Sequence, residues 1–527
     1  MSKHWVDEVT RKILEERDDK KEYVLNWGMS LSGRMHIGNL RELSTVKAVR
    51  KALEEKGKEV KNIGVFYTQD RFKGKAGQLG HFDGDGKKYI GWRLVDVPDP
   101  DGCHRNWPEH FNSENEPYFK KFGLESRPIT TTEFYKMDET KKLVKRFLSN
   151  RENVRDILNR FRDREPYPDD WIPFDPLCQN CKRIDKTKAI DVDLEKEQVK
   201  YSCSACGDKG WSKLENGKLT WRLEWCTLWD VLNVDFEPYG KDHATPGGSR
   251  DSCVALCKEF DLNYPVGFAY NWVYWKENGD ISEMTSSGNI GLTAKDFVEY
   301  AEPEVLTYLY LSTKPMKEIY FNPLEIPTYV RRFDRSEAIY FGKEEARSEK
   351  RGENIKRNYE LAVRNIPKKK PERISYSTCT FVAQLSDDEE KVLELLNRTV
   401  DLPEKLGKGE MGRIMSRIKR SRNWISTFKP DNHLIEVKED VSDVEEALGE
   451  EQKKALRKLR EELEKKNWSS DELQDRIYEM KDEFGMGTGD LFQGIYLAIL
   501  GKKSGPRAGQ LIKAVGQKRV SRILKKI

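Results

Sequence analysis

The sequence predicts a doubly wound α/β domain that carries an insertion and is followed by an all-α domain. Three observations lead to this fold class. Within the first 70 residues, two runs of strand character are joined by a helical stretch, which is typical of a parallel βαβ unit. Two Cys-x-x-Cys pairs then fall in an irregular region rich in proline, glycine and charge. Beyond the link at residues 367–371, which is rich in proline and lysine, only helical periodicity remains.

The βαβ unit follows a charged N-terminal stretch that we predict to be an amphipathic helix. Residues 23–27 form the first predicted strand, which ends at Gly28, and a glycine-containing loop leads into a helix that begins near Asn39. Residues 60–67 form the second strand. The apolar residues of the helix recur at helical spacing: Leu40, Leu43, Val46, Val49 and Leu53. Because ligands bind at the carboxyl ends of parallel strands, the loop at 28–39 is the predicted site.

The remaining domain boundaries are predicted from changes in the periodicity of apolar residues along the chain. Residues 84–217 form a predicted insertion within an α/β domain at 1–320, with a helical stretch at 140–164 and a strand-poor metal module at about 170–215. Strand character resumes at 219–225 and runs to 233–236. A connecting segment at 321–370 precedes the predicted α-helical domain at 371–527.

Composition limits the class of protein. The chain has 527 residues, 35% of them charged, and a mean hydropathy of -0.80. We therefore expect no membrane-embedded part, and the charged N-terminus does not resemble a secretory signal, so the expected compartment is the cytoplasm. The net charge is only +4, but the last 27 residues hold nine lysines or arginines and no acid. Such a tail is suited to a polyanion or to solvent.

Four cysteines have the spacing of a structural metal site. Cys178 and Cys181 form one Cys-x-x-Cys pair, and Cys203 and Cys206 form the other, with 21 residues between the two pairs. In a reducing compartment four thiolates on two tight turns favour tetrahedral zinc, with redox thiols as the alternative. Cys253 is interpreted, together with Cys257, as a packing residue.

The loop at 28–39 has the composition of a phosphate-binding loop. It lies between a strand and a helix N-terminus, where free N–H groups and the helix dipole favour anions, and His36 adds a further donor. His36-Ile-Gly-Asn39, with Ser32-Gly33 before it, resembles the HIGH signature of class I aminoacyl-tRNA synthetases. The resemblance implies that this loop binds ATP, through Ser32, Gly33, His36, Gly38 and Asn39, and that His36 and Asn39 act in catalysis. The alternative is an ordinary capping or core histidine.

Two further runs of residues indicate which subfamily of these synthetases the sequence resembles. Trp221-Arg-Leu-Glu-Trp225 and Asp235-Phe-Glu-Pro-Tyr-Gly-Lys-Asp-His243 are similar to runs of the archaeal-type class I lysyl-tRNA synthetases. Gly240 allows close approach of a nucleotide, and Asp242 can accept hydrogen bonds from ribose hydroxyls. The resemblance also implies a lysine pocket lined by Gly28, Ser30, Trp221, His243 and Tyr270. Core packing is the alternative for Trp221 and Tyr270. The candidate acids for the substrate ammonium are Glu224, Glu237 and Asp70.

A third segment departs from the family. Glu283-Met-Thr-Ser-Ser-Gly-Asn289 stands where the resemblance places a KMSKS loop, which holds pyrophosphate. The lysine positions are lost, because Glu283 and Ser286 replace two of them and a third is deleted before Gly288. Met284 and Gly288 are predicted to contact ATP. The hydroxyl groups predicted to act on phosphate are those of Thr285, Ser286 and Ser287. The candidate replacement cations are Arg34, Lys276 and Lys295.

Taken together, the resemblance implies a Rossmann-type catalytic domain with a zinc-binding insertion and an α-helical anticodon-binding domain, in which the basic residues of 405–424 and Trp424 would contact RNA. The expected substrates are L-lysine, ATP with Mg²⁺, and tRNA(Lys), and a monomer is expected. Two alternatives stay open. One is a glutamyl- or glutaminyl-type enzyme, which would need a basic pocket. The other is a catalytically impaired tRNA-binding protein, which the loss of the loop lysines favours.

Overall fold

The computed structural model describes residues 4–17, 20–286, 288, 290–400, 402–403, 406–431, 433–438, 441, 444 and 446–527. The chain folds into two compact units. The first unit comprises residues 1–297, 303–322 and 336–366, and the second comprises 298–302, 323–335 and 367–527. The predicted connecting segment at 321–370 is thus divided between the two units. Among the described residues, no helix is both long and apolar enough to span a bilayer.

The regular elements alternate in the first half of the chain and are helical in the last third. The strands are β1 Glu22–Met29, β2 Glu59–Phe66, β3 Arg127–Thr130, β4 Phe174–Asp175, β5 Thr187–Asp193, β6 Gln198–Cys203, β7 Lys209–Lys213, β8 Lys218–Leu219, β9 Phe236–Gly240, β10 Val266–Tyr270, β11 Val273–Glu277, β12 Asp280–Glu283 and β13 Ile319–Phe321. The helices up to residue 362 are α1 Trp5–Glu16, α2 Leu40–Glu54, α3 Ala76–Leu79, α4 Trp107–Phe122, α5 Thr131–Phe134, α6 Asp138–Ser149, α7 Arg151–Asn159, α8 Trp221–Val231, α9 Ser249–Glu259, α10 Ala294–Tyr300, α11 Pro303–Ser312, α12 Ile326–Tyr340 and α13 Glu349–Ala362. The later helices are α14 Tyr376–Leu385, α15 Glu389–Thr399, α16 Lys408–Phe428, α17 Glu450–Lys465, α18 Ser470–Glu483, α19 Thr488–Leu500, α20 Ala508–Val515 and α21 Gln517–Leu524.

The first unit is built on a five-stranded parallel sheet with the strand order β10-β9-β1-β2-β3. The predicted βαβ unit is confirmed, since β1 and β2 pair in parallel over their whole length and α2 connects them. β1 is buried almost throughout, as expected of a strand in a parallel sheet that is covered on both faces. The chain leaves β1 toward β2 and β3 on one side and returns to β9 and β10 on the other. This reversal creates a crevice at the carboxyl end of β1.

The predicted insertion is less irregular than expected. Strand β3 lies within 84–217 but belongs to the main sheet, where it pairs with β2. The predicted helical stretch at 140–164 is two helices, α6 and α7, which meet at Asn150. The metal module is not strand-poor, because β5, β6 and β7 form an antiparallel sheet. These strands give the module hydrogen-bonded structure of its own.

The prediction of a strand at 219–225 is wrong, because only Lys218 and Leu219 are extended there and α8 begins at Trp221. Aromatic and apolar residues at every second position favoured a strand. The same run also places Trp221, Trp225 and Trp229 four residues apart, on one helix face. Their neighbouring ring centroids are 5.2 Å and 4.7 Å apart. The tertiary packing of this aromatic face therefore favours a helix over a strand in this segment.

In the second unit, all regular elements among the described residues of 371–527 are helices, as predicted. They surround one apolar core, to which Leu396, Ile418, Leu459 and Ile495 contribute. Buried Arg417 holds a hydrogen-bonded ion pair with Asp334 at 2.7 Å. It forms a second ion pair, with Glu302, at 2.9 Å.

Candidate functional site

The carboxyl ends of three neighbouring strands bring predicted ligand residues together. Gly28 is the penultimate residue of β1, and Gly240 and Tyr270 end β9 and β10, where they are direct partners in the parallel register. β1 and β9 are paired at Leu25 and Phe236, so Gly240 lies level with the end of β1. Ser30 follows β1 immediately. The predicted crevice is therefore formed from residues far apart in the chain.

An acid that sequence reasoning missed lies at this edge. Glu42, in the first turn of α2, accepts a hydrogen bond from the Gly28 backbone N–H at 3.1 Å and another from the Tyr270 hydroxyl at 2.5 Å. Loss of hydration in this recess raises the pKa of Glu42 to about 8. The only signal in the sequence was an acid between the apolar positions Leu40 and Leu43 of a helix that follows the glycine loop.

Aromatic rings form one wall of the same region. The Trp221 ring centroid lies 5.5 Å from that of Tyr67 and 5.7 Å from that of His243. Tyr67 in turn borders Gly28, because a β-carbon added there would come within 2.9 Å of the Tyr67 ring. Desolvation lowers the pKa of His243. These contacts connect three of the predicted lysine-pocket residues, Gly28, Trp221 and His243, in one continuous surface.

The three acids proposed from the sequence form ion pairs or hydrogen bonds with other residues of the protein. Lys218 is an ion-pair partner of Asp70 at 2.6 Å and of Glu224 at 2.9 Å. Glu237 accepts hydrogen bonds from Trp225 Nε1 at 3.0 Å, from Trp229 Nε1 and from the Asn26 amide at 2.9 Å. Asp70 and Glu224 are thus paired with a cation, and Glu237 accepts three hydrogen bonds. Glu42 accepts two hydrogen bonds, one of them from the predicted pocket residue Tyr270, and is therefore the better candidate for a substrate ammonium.

The HIGH-like loop is folded tightly around His36. The His36 backbone N–H donates to Asn39 Oδ1 at 3.2 Å, and a β-carbon on Gly38 would lie 2.8 Å from His36 Nδ1. Burial lowers the pKa of His36 to about 4, so the ring is neutral near pH 7. Its Nδ1 atom is buried, and no group in the described part of the chain hydrogen-bonds to it. A neutral ring next to a helix N-terminus is suited to contact a phosphate.

Two side chains from other elements donate hydrogen bonds to backbone carbonyls of the loop that precedes His36. The Trp107 indole N–H donates to the Leu31 carbonyl at 3.0 Å, and the Gln78 amide donates to the Ser32 carbonyl at 2.8 Å. Gly33 is buried. The backbone of the loop is thus fixed through its carbonyl groups.

The KMSKS-like segment lies against this loop. The Ile37 backbone N–H donates to the Leu292 carbonyl at 2.7 Å, and His36 forms a β-bridge with Thr293. Met284 Sδ lies 3.6 Å from the point where a Gly38 β-carbon would stand. Thr285 and Ile290 exchange backbone hydrogen bonds at 3.2 Å.

Within this turn, a β-carbon on Gly288 would meet the Thr285 hydroxyl, so a larger residue there would force the Thr285 side chain to move. Ser286 is part of the turn, whereas Ser287 lies outside the described residues, as does Asn289. The structure therefore brings the two predicted ATP loops together but does not test the role proposed for Ser287.

Two of the three candidate cations share a cavity beside these loops. Arg34 and Lys295 line a cavity of about 100 Å³ together with Glu114, Asn115, Thr293 and Asp296. Arg34 Nε lies 3.4 Å from Glu114 Oε2. Lys276 instead lies on strand β11, opposite Ile281. Asp242, predicted to bind the nucleotide, is exposed beside Gly240, where a β-carbon would approach its Oδ1 to 2.5 Å.

The four cysteines of the two pairs form one cluster. The Sγ atoms of Cys178 and Cys206 are 3.6 Å apart, as are those of Cys181 and Cys203, and all four lie within 4.8 Å of one another. Sulfur ligands at about 2.3 Å from a tetrahedral zinc ion would be about 3.8 Å apart. The Cys181 backbone N–H points at Cys178 Sγ at 3.5 Å, as in a metal-binding turn. The cluster therefore has the donor set and spacing to hold a metal ion.

Comparison with known proteins gives two family matches. Residues 3–365 match the family described as tRNA synthetases class I (K), and residues 411–527 match an anticodon binding domain. The lysine–tRNA ligase of Aeropyrum pernix is 38% identical, with 97% of this chain and 95% of that protein covered. The lysine–tRNA ligase of Methanocaldococcus jannaschii is 36% identical, with 98% of each covered.

Proposed function

The chain belongs to the class I (K) family of tRNA synthetases, and from this membership we infer that it is a lysine–tRNA ligase. The reaction has two steps. A carboxylate oxygen of lysine attacks the α-phosphorus of ATP, the α–β phosphoanhydride bond breaks, and pyrophosphate leaves. A hydroxyl of the terminal adenosine of tRNA(Lys) then attacks the lysyl carbonyl carbon, and AMP leaves. Within the site itself, the single observation that supports lysine as the substrate is Glu42, an acid that accepts hydrogen bonds from Gly28 and Tyr270.

The lysine site extends from Glu42 to the aromatic wall. A substrate ammonium needs a desolvated negative partner, and Glu42 becomes that partner when it ionises. Trp221 and Tyr270 flank the methylene stem and His243 lines the pocket, with Gly28 and Ser30 leaving room at the end of β1. The raised pKa of Glu42 supports this role, because an empty acid site with few partners favours the protonated form. A glutamate side chain would be repelled here, which argues against the glutamyl-type alternative.

ATP lies across the crevice between the two loops. His36, Gly38 and Asn39, with Ser32 and Gly33, contact the phosphates at the start of α2, where the helix dipole favours anions. Gly240 and Asp242 bind the ribose. Met284 and Gly288 close over the nucleotide, and the hydroxyls of Thr285, Ser286 and Ser287 donate to phosphate oxygens. Positioning and charge stabilisation of an in-line displacement are sufficient for this chemistry.

Arg34 and Lys295 supply the positive charge that this KMSKS-like segment lacks. Both line the cavity beside the bridge between His36 and Thr293. We expect Lys295→Ala and Arg34→Ala each to lower the rate of adenylate formation about 100- to 1,000-fold, as removal of one charge-stabilising donor does in other enzymes. Lys276→Ala is the matched control and should leave the rate within twofold. Equal, small effects of all three variants would contradict this assignment.

The metal ion of the four-cysteine cluster is zinc, which four thiolates select, and its role is structural because the four cysteines complete its coordination. Mg²⁺ accompanies ATP. The residues that match an anticodon binding domain contact tRNA(Lys), with the basic residues of helix α16 on the RNA-binding side. The expectation that Trp424 contacts RNA is wrong, because its side chain is fully buried and its indole N–H donates to the Pro323 carbonyl at 2.8 Å.

The deciding experiment is lysine-dependent exchange of pyrophosphate into ATP, with all twenty amino acids tested in parallel and with tRNA present or absent. Exchange with lysine alone supports the proposed function. Exchange with glutamate or glutamine would overturn the substrate assignment. No exchange under any condition, together with tight tRNA binding, would favour a synthetase-derived tRNA-binding protein whose altered loop has lost activity.

A further inference from the structure

We propose that the Tyr67 hydroxyl belongs to the substrate site and accepts a hydrogen bond from an ammonium group of the bound lysine. The proposal rests on the lysine pocket proposed above and adds one contact to it. Tyr67 follows strand β2 immediately, and its backbone N–H donates to the carbonyl of Met29, the last residue of β1, at 2.9 Å. Tyr67 is therefore held at the carboxyl ends of two neighbouring parallel strands, where ligands bind in sheets of this kind.

The Tyr67 side chain borders two of the predicted pocket residues. Its hydroxyl oxygen lies 2.9 Å from the point where a β-carbon on Gly28 would stand. Its ring centroid lies 5.5 Å from that of Trp221, with the ring planes at 67°. Gly28 also donates its backbone N–H to Glu42 at 3.1 Å. The Tyr67 hydroxyl and the Glu42 carboxylate thus both adjoin Gly28.

Among the residues that the structure describes, none forms a hydrogen bond with the Tyr67 hydroxyl. The residue is 6% exposed, yet its oxygen is not one of the fully buried polar atoms that lack a partner, so water or a ligand can reach it. Tyrosine hydroxyls in protein interiors usually have a partner. The buried hydroxyl of Tyr135, for comparison, donates to Glu224 at 3.0 Å. Within the described part of the chain, the hydrogen-bonding capacity of the Tyr67 hydroxyl is therefore available to a ligand.

The charges near the hydroxyl favour a cation as that ligand. Four carboxyl groups interact with it electrostatically, those of Glu237, Glu224, Asp70 and Glu42. Burial and these acids raise the pKa of Tyr67 well above its usual range, so the hydroxyl stays neutral and its oxygen can accept a hydrogen bond. Lys218 pairs with both Asp70 and Glu224, but one cation cannot offset two carboxylates. A substrate carboxylate would be repelled here, whereas either ammonium group of lysine would be attracted.

The variant Tyr67→Phe tests the contact, because it removes the hydroxyl and keeps the ring. The Kd for lysine is measured by equilibrium dialysis of the full-length protein with labelled lysine, so that no catalysis is required. We expect the Kd to rise about 10- to 100-fold, the range for loss of one hydrogen bond to a charged group. Tyr376→Phe is the matched control and should leave the Kd within about twofold, because it removes a buried hydroxyl of the second unit, which donates to the Tyr300 carbonyl at 2.7 Å.

Displacement of labelled lysine by two analogues identifies which ammonium group is contacted. Norleucine keeps the α-ammonium group and lacks the one at the end of the side chain, whereas 6-aminohexanoate has the reverse. The analogue that keeps the contacted group should bind Tyr67→Phe more weakly than the wild type, by the same factor as lysine. The analogue that lacks it should bind both proteins equally. Equal weakening of both analogues would show that the variant distorts the pocket, and it would overturn the proposal.

Thermal unfolding without lysine separates a role in binding from a role in stability. Tyr67→Phe should melt at the wild-type temperature or above, because none of the described residues loses a hydrogen bond, whereas Tyr376→Phe should melt at a lower temperature. A Kd for lysine within twofold of the wild type would overturn the proposal and leave the assignment as a lysine–tRNA ligase intact. No lysine binding by the wild type would instead contradict the proposed function, and the role of Tyr67 would fall with it.

Discussion

Replacing Glu42 with glutamine removes the one acid that contacts both Gly28 and Tyr270 while keeping its size. In the wild type, the pKa of about 8 means that the ionised fraction of Glu42 rises from about 1% at pH 6 to about 50% at pH 8. If lysine binds to the ionised form, the KM for lysine should fall about 50-fold over this range. The substrate ammonium stays charged throughout, since its pKa is near 10.

The amide cannot pair with the ammonium. Breaking a desolvated ion pair costs about 3 kcal/mol or more, so Glu42→Gln should raise the KM for lysine at pH 8 by about 100-fold or more. Its KM should also lose the pH dependence. The assay is lysine-dependent pyrophosphate exchange at pH 6, 7 and 8, with Glu54→Gln, an exposed acid on the same helix, as the control.

Thermal unfolding is a second measurement, and it distinguishes a role of Glu42 in lysine binding from a role in stability alone. The raised pKa means that ionisation of Glu42 opposes folding as pH rises from about 4.5 toward 8. Without lysine, the Glu42→Gln protein should therefore melt at a higher temperature than the wild type at pH 8 and at a similar temperature at pH 5. A KM within threefold of wild type, or a wild-type KM that does not change between pH 6 and 8, would refute the role given to Glu42.

Three further predictions concern other residues. His36→Ala should reduce adenylate formation at least about 100-fold and leave tRNA binding within twofold, and because the His36 ring is neutral above about pH 5, the factor should be constant between pH 6 and 8 in exchange assays. Lys218→Met leaves buried Glu224 and half-buried Asp70 without their cation and should cost about 3 kcal/mol in urea unfolding, whereas Lys188→Met, from an exposed ion pair, should cost below about 1 kcal/mol. Cys178→Ser should release one metal equivalent, and residues 170–215 should become sensitive to limited proteolysis; resistance equal to that of the wild type would show that the β5–β7 sheet does not depend on the metal.

Much of the site could be predicted because its chemistry is carried by short runs. The loop at 28–39 and the segment around Gly288 are short local motifs that the sequence singled out, and the structure brings them together, while their contacts with ATP stay a prediction. The Cys-x-x-Cys pairs predicted the metal cluster for the same reason. The strand predicted at 219–225 failed because alternating and four-residue spacings coincide in Trp221, Leu223 and Trp225.

By itself the sequence determined the order of the parts: a βαβ unit with a phosphate-binding loop, a cysteine module and a helical last third. Only the tertiary structure decided which acid contacts Gly28 and Tyr270 of the proposed lysine pocket. Glu42 becomes informative through Tyr270, 228 residues away, because parallel strands end at a common edge and bring distant residues together there. Desolvation at that edge then changes the pKa of Glu42, and burial of this kind depends on every element that packs around the group and on no single run of residues.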